Sequence, residues 1–162
     1  MRHQFHGIAK PNRIEWITQV NERRFLAFEA MLDKMAFGPM HLSHRAIMNE
    51  VKKQIHRYDG ERYQIVAYTI MSNHVHLLMV TDIPIHVDDL LFDDQITLTP
   101  FCDIMQSIKG VSAREANKVL QRQGQFWQRE SYDRYIRDEQ HLANTIAYIA
   151  NNLVKAGLCA NW

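Results

Sequence analysis

Residues 63–80 narrow the possible folds of this chain more than any other stretch. Tyr63 to Ile70 is rich in β-branched and aromatic side chains, Met71-Ser72-Asn73 interrupts the run, and His74 to Val80 resumes it. Two short β-prone runs joined by a turn predict an antiparallel hairpin. Side chains alternate along a strand, so His74 and His76 project from one side with Cα atoms ~6.5 Å apart. Two imidazoles so placed can share one metal ion. A His-x-His can equally be an ordinary half-exposed strand segment, and the motif alone does not separate the two readings. Past His76 both faces become apolar, Leu78 and Val80 on one and Leu77 and Met79 on the other. That predicts a central strand covered on both sides, with the histidines at its rim.

The rest of the chain supplies helices around this hairpin. Residues 13–20 alternate imperfectly and are expected as a first strand, while Phe25, Phe28, Met31, Leu32 and Met35 recur at helical spacing over 25–35. From Leu42 to about Arg57, Ile47, Val51 and Ile55 stand four apart, with Ser43 as the expected N-cap and Asp59-Gly60 as the stop. Ile104, Ile108, Val119 and Leu120 predict a helix from about Pro100 to Gln121, weakened or kinked at Gly110. Alternation from Ser131 to Arg137 predicts a further strand. Asp138 can cap a last helix running from Glu139 to about Ala156, with Gly157 as its stop.

With 162 residues, residues 1–162 are expected to form one domain with a real core. No apolar run reaches the roughly 18 residues of a membrane span and the N-terminus lacks an apolar leader core, so a cytoplasmic protein without membrane partners is expected. Cys102 and Cys159 have no CxxC spacing and read as reduced structural thiols. The formal charge is only +1, yet it is segregated. Residues 82–96 carry Asp82, Asp88, Asp89, Asp93 and Asp94 with no Lys or Arg, and with two flanking or internal prolines the segment of about 81–100 reads as a loop or insertion. Residues 104–137 are net basic, which matches either a phosphate backbone or a solvated helix face.

The last helix carries the second candidate group. At 100° per residue, Leu142, Ala143, Ile146, Ala147, Ile149, Ala150, Leu153 and Val154 fall on one side. His141, Asn144, Thr145, Tyr148, Asn151, Asn152 and Lys155 fall on the other. A packing tyrosine belongs beside the apolar stripe, and Tyr148 does not lie there. It reads as a surface residue or, given a His pair in the same small domain, as a nucleophile. Asn152 follows Tyr148 by four residues and shares its helical face. Two imidazoles and an amide oxygen leave a divalent ion open positions for phosphate oxygens. These parts permit phosphoryl transfer from a nucleic-acid strand to Tyr148. Imidazole favours Mn²⁺, Zn²⁺ or similar ions over Mg²⁺ in affinity, and abundant Mg²⁺ is also feasible, so a divalent ion is expected, Mg²⁺ or Mn²⁺ first among the candidates and its identity open.

With these residues in hand, the chain resembles the single-tyrosine HUH transposases, closest to the branch of REP-associated tyrosine transposases. The likeness covers roughly residues 40–158 and rests on Met71 to Leu78, on Phe126-Trp127-Gln128-Arg129 with Tyr132 to Asp138, and on Tyr148 to Gly157. Leu153 departs from the proline that usually follows the family's asparagine. The resemblance implies an α+β fold, with a ferredoxin-like antiparallel sheet and helices packed on one face. It implies His74, His76 and Asn152 as metal ligands, and Tyr148 as the nucleophile that joins a 5′-phosphate of single-stranded, hairpin-bearing DNA. Trp127, Arg129 and Arg134 fall in its middle block, as DNA contacts or local packing, and Lys155 is a further candidate nucleic-acid contact. Monomer and homodimer both remain open. Two other readings compete: a domesticated DNA-hairpin-binding protein that does not cut, and an unrelated metal protein using His41 and His44.

Overall fold

Two antiparallel strands, β1 (Gln64–Ile70) and β2 (Val75–Val80), pair in the computed structural model. It describes residues 23, 27, 31, 38–81, 100–129, 131–157, 159 and 160. The chain divides into two units, Met1–Phe37 and Gly38–Trp162. Of the first, Arg23, Ala27 and Met31 are described, all helical and exposed. The strand expected over 13–20 and nearly all of the acidic 81–100 segment lie outside the described residues.

In the second unit a single 3-10 turn, His41–Ser43, leads into α1 (Arg45–His56), and the hairpin follows. Two helices, α2 (Pro100–Val119) and α3 (Glu139–Lys155), complete the described elements. The fold class is α+β. No described helix is long and apolar enough to cross a membrane.

The hairpin register decides what each face meets. Thr69 stands opposite His76, Tyr68 opposite Leu77 and Ala67 opposite Leu78; an irregularity between Ile65 and Ala67 then shifts the pairing. Val66 is left at this bulge, 40% exposed. Tyr68, Ile70, Val75, Leu77 and Met79 pack against a core formed by Leu42, Ile47, Val51 and Ile55 with Tyr63, Ile104, Ile108 and Ala116. Ile47, Val51 and Ile55 thus form the predicted stripe of α1. On α2 the buried ridge is Ile104, Ile108, Ser112 and Ala116, spaced by four, whose two small members suit close packing against α1. Tyr63 closes this core by donating its hydroxyl to the Ile55 carbonyl at 2.5 Å, and burial pushes its phenol above the ordinary value.

The opposite face of the hairpin carries Ala67, Thr69, His76 and Leu78, by strand alternation. Here α3 docks, tied by the Thr69 hydroxyl, which donates to the Ile149 carbonyl at 2.7 Å. The helices therefore do not share one face as expected: α1 and α2 cover one side and α3 the other. The reason is that β1 presents an apolar set on one face and a hydroxyl donor on the other.

Four further expectations change. Ser43 lies in the 3-10 turn, so His44 occupies the N-cap of α1, without a side-chain cap bond. Gly110 does not interrupt α2, consistent with a helical penalty of only about 1 kcal/mol relative to alanine. Val119 is 41% exposed, because the buried ridge runs through Ala116 rather than toward it. Residues 131–137 form no strand. They are held instead by Lys109, whose ammonium donates to the Gln128 carbonyl at 2.7 Å and the Ser131 hydroxyl at 3.2 Å. Burial lowers the Lys109 pKa against the opposing pull of Asp133, and burial likewise raises that of Asp133.

The caps of the last helix match the sequence. The Asp138 carboxylate accepts from the His141 amide at 2.7 Å, and Gly157 follows the helix at φ +68°. The end of α2 is less usual: Gln121 takes φ +51°, while the amides of Gln121 and Arg122 donate to the Lys118 and Asn117 carbonyls. A left-handed residue of this kind favours glycine. Gln121→Gly is expected to stabilise the protein by up to about 1 kcal/mol, measured by urea denaturation; a destabilisation would show that the Gln121 side chain contributes more than its backbone costs.

Candidate functional site

The turn preceding β2 is tied twice by the backbone. Met71 donates its amide to the His74 carbonyl at 2.9 Å, and Leu42 donates to the Ser72 carbonyl at 3.0 Å, joining the turn to the segment that enters α1. His74, 8% exposed, leaves this turn, and His76 follows as the partner of Thr69. The imidazoles meet edge to face with centroids 4.7 Å apart, and their Nε2 atoms lie 2.9 Å from each other. The Nδ1 of His74 lies 2.8 Å from the Asn73 side-chain oxygen.

Helix α3 brings the phenol to this pair. The rings of Tyr148 and His76 are 5.4 Å apart and nearly perpendicular. The Lys155 ammonium lies 4.9 Å over the Tyr148 ring. One turn beyond Tyr148, Asn152 is 1% exposed, and neither its amide oxygen nor its amide nitrogen has a hydrogen-bond partner among the described residues. Thr145, Tyr148, Ile149 and Asn152 thus form the inward face of α3, while Ala143 and Ala147 are exposed. Of the face read as polar, Asn152 is buried and Tyr148 meets His76, whereas Asn144 and Lys155 are exposed. Periodicity points apolar residues inward by default, and here the receiving surface is itself polar.

Of the residues singled out in the sequence, His74, His76, Tyr148 and Lys155 are joined by direct contacts, and Asn152 lies on the same helix face. Trp127 lies elsewhere. It packs with the α1–α2 core and donates its indole N–H to the Ser112 hydroxyl at 2.9 Å. Arg129 is exposed and Arg134 half-buried on the segment that follows. The His41 and His44 pair is not arranged for a cation: the Nε2 of His41 lies 2.9 Å from the Arg122 guanidinium, and its ring stacks on Phe126. Among the described residues no group of three or more His, Cys, Asp or Glu side chains converges on a common point.

Two members of the site were not anticipated. Asn73 looked like a turn residue and Thr69 like a strand filler. The available signals were the adjacency of Asn73 to His74 and the small hydroxyl of Thr69 in a largely apolar strand.

The arrangement is an α+β hairpin-and-helix site that gathers two imidazoles, a phenol, an amide and an ammonium. Among known proteins, the chain is similar to one from Haemophilus influenzae named "Putative REP-associated tyrosine transposase", with 33% identity over 95 residues, covering 59% of this chain and 52% of the relative. The chain thus spans about half the length of the curated relative it matches. No family model matches it, and no solved structure does. The relative's name supports the resemblance to REP-associated tyrosine transposases read from the motifs.

The buried amide generates a direct test. A buried polar group without a partner costs about 1–3 kcal/mol. Asn152→Leu, similar in volume, is therefore expected to leave stability in the presence of chelator unchanged or raise it by about 1 kcal/mol, read by thermal or urea unfolding. A loss above about 2 kcal/mol would mean that Asn152 is held by bonds within the fold.

Proposed function

We propose that this chain is a metal-dependent, single-tyrosine HUH transposase domain with a ferredoxin-like sheet. On this reading it nicks and rejoins single-stranded, hairpin-bearing DNA through a covalent 5′-phosphotyrosine. The observation that carries the proposal is the 5.4 Å approach of the Tyr148 ring to His76, whose Nε2 lies 2.9 Å from that of His74. The two imidazoles are neighbours on one hairpin, whereas Tyr148 comes from α3, and only the fold brings it to them.

The residues present fit a divalent ion. Two nitrogens at neighbouring octahedral positions, with bonds of about 2.1 Å, would lie about 3.0 Å apart, close to the separation of the imidazole pair. The unpartnered buried oxygen of Asn152 supplies a third donor of suitable hardness. His74, His76 and Asn152 would hold Mg²⁺ or Mn²⁺, which when bound supplies Lewis-acid polarisation of the scissile phosphate.

The chain's own residues account for the rest. The Tyr148 oxygen attacks phosphorus, forming the Oη–P bond as the P–O3′ bond breaks. The phenolic proton passes, by way of solvent, to the departing 3′-oxygen, which leaves as a hydroxyl. The ester formed retains a phenolate leaving group, so a 3′-hydroxyl can attack it in turn and rejoin a strand. Lys155, beside the phenol, neutralises phosphate charge, and packing of Tyr148 against His76 limits the ring's freedom before attack. Arg129 and Arg134 are further candidates for backbone contact.

The test is to mix the protein with a labelled hairpin oligonucleotide and Mn²⁺ and look for a denaturation-resistant adduct. Wild-type protein is expected to form it and Tyr148→Phe to abolish it. His76→Ala is expected to lower the yield about 100-fold or more, since several kcal/mol of charge stabilisation are lost. Binding of the hairpin without any adduct would replace this proposal with the non-cleaving DNA-binding reading.

A further inference from the structure

The turn residue before the His pair has a geometry with consequences for the pair. Asn73 places its side-chain oxygen 2.8 Å from Nδ1 of His74. An amide oxygen only accepts hydrogen bonds, so this contact requires the proton on Nδ1 and leaves the Nε2 of His74 with its lone pair. That Nε2 lies 2.9 Å from the Nε2 of His76, and the contact is a hydrogen bond only when His76 carries the proton there. The two imidazoles therefore differ: His74 is set as an acceptor from the backbone turn outward, whereas His76 donates to it.

We infer that Asn73 is a positioning residue that holds His74 in the Nδ1–H tautomer, presenting its Nε2 lone pair to a cation shared with His76. The inference rests on the proposed ion site for its consequence, but not for the tautomer itself. Asn73 is suited to this task because its own backbone is restrained. The flanking Ser72 carbonyl is bonded to the Leu42 amide, and the Met71 amide to the His74 carbonyl. Low exposure of His74 limits competition by water for Nδ1. Partners behind a ligating imidazole fix its orientation and raise its basicity, and their loss typically costs 10–100-fold in metal affinity. His76 must move its proton to Nδ1 before its Nε2 can become a ligand, so the tautomer change on ion binding falls on His76 alone.

Long-range ¹⁵N–¹H correlation spectra of the imidazoles test the first part, recorded in chelator on Tyr148→Phe protein so that no reaction intervenes. The expected spectrum shows His74 protonated at Nδ1, retained in Asn73→Asp and lost or mixed in Asn73→Ala. An Nε2–H tautomer for His74 with Asn73 in place overturns the inference, whatever the variants do. Calorimetric titration with Mn²⁺ tests the consequence. Asn73→Ala is expected to bind about 10–100-fold more weakly, and Asn73→Asp at least as tightly as wild type. Equal affinity in Asn73→Ala overturns the positioning role. Failure of the wild type to bind Mn²⁺, with the Nδ1–H tautomer intact, would instead overturn the ion site and leave the tautomer assignment standing.

Discussion

The pairing of Thr69 with His76 governs the rest of the molecule. Because strand side chains alternate with a period of two, a slip of β2 by one residue would turn His76 into the α1–α2 core and expel Leu77 from it. The correct register is strongly preferred because only one face of the hairpin is uniformly apolar. The same register sets the docking of α3, since the Thr69 hydroxyl reaches the Ile149 carbonyl, the residue after Tyr148. One ladder position thereby orients both an imidazole and the helix that carries the phenol facing it.

The two faces of the hairpin perform different physical work. On the α1–α2 side apolar burial is continuous and several buried polar groups are paired: Tyr63 donates to Ile55, and Ser112 both donates to Ile108 and accepts from Trp127, while the side-chain oxygen of Asn117 has no partner among the described residues. On the α3 side the fully buried amide of Asn152 has no partner among the described residues. Natural proteins satisfy nearly all buried polar groups, so a side chain with both amide atoms unpartnered stands out. This division also explains why the site can be polar without endangering the fold, whose stability rests mainly on the other face.

Much of this was legible from local pattern. The hairpin follows from β-branched runs around a break, the stripe of α1 from its four-residue spacing, and the limits of α3 from Asp138 and Gly157. Each depends on neighbours in sequence. What was not legible depends on the surface across from an element. The alternation at 131–137 resembles a strand, but a strand needs a ladder partner, and here Lys109 holds the segment instead. Val119 has the right chemistry for burial, but the contact ridge passes through Ala116. On α3 Ile149 is buried as its place on the apolar side implies, but the burial of Asn152 on the polar side was misread for the same reason: hydrophobic periodicity assumes an apolar receiving surface.

That misreading also explains how the candidate site was visible at all. A helix face bearing Thr145, Tyr148 and Asn152 is unremarkable if it meets water and informative once it meets protein. Tyr148 drew notice because it stood off the apolar stripe, an argument made on the assumption that it faced solvent. The structure replaces that premise: Tyr148 stands off the stripe and meets an imidazole. Polar residues at helical spacing are therefore a weak signal by themselves and a stronger one when a second element offers polar groups in matching register. In this chain that element is the hairpin, whose Asn73-His74-Val75-His76 turn and strand supply the complementary half.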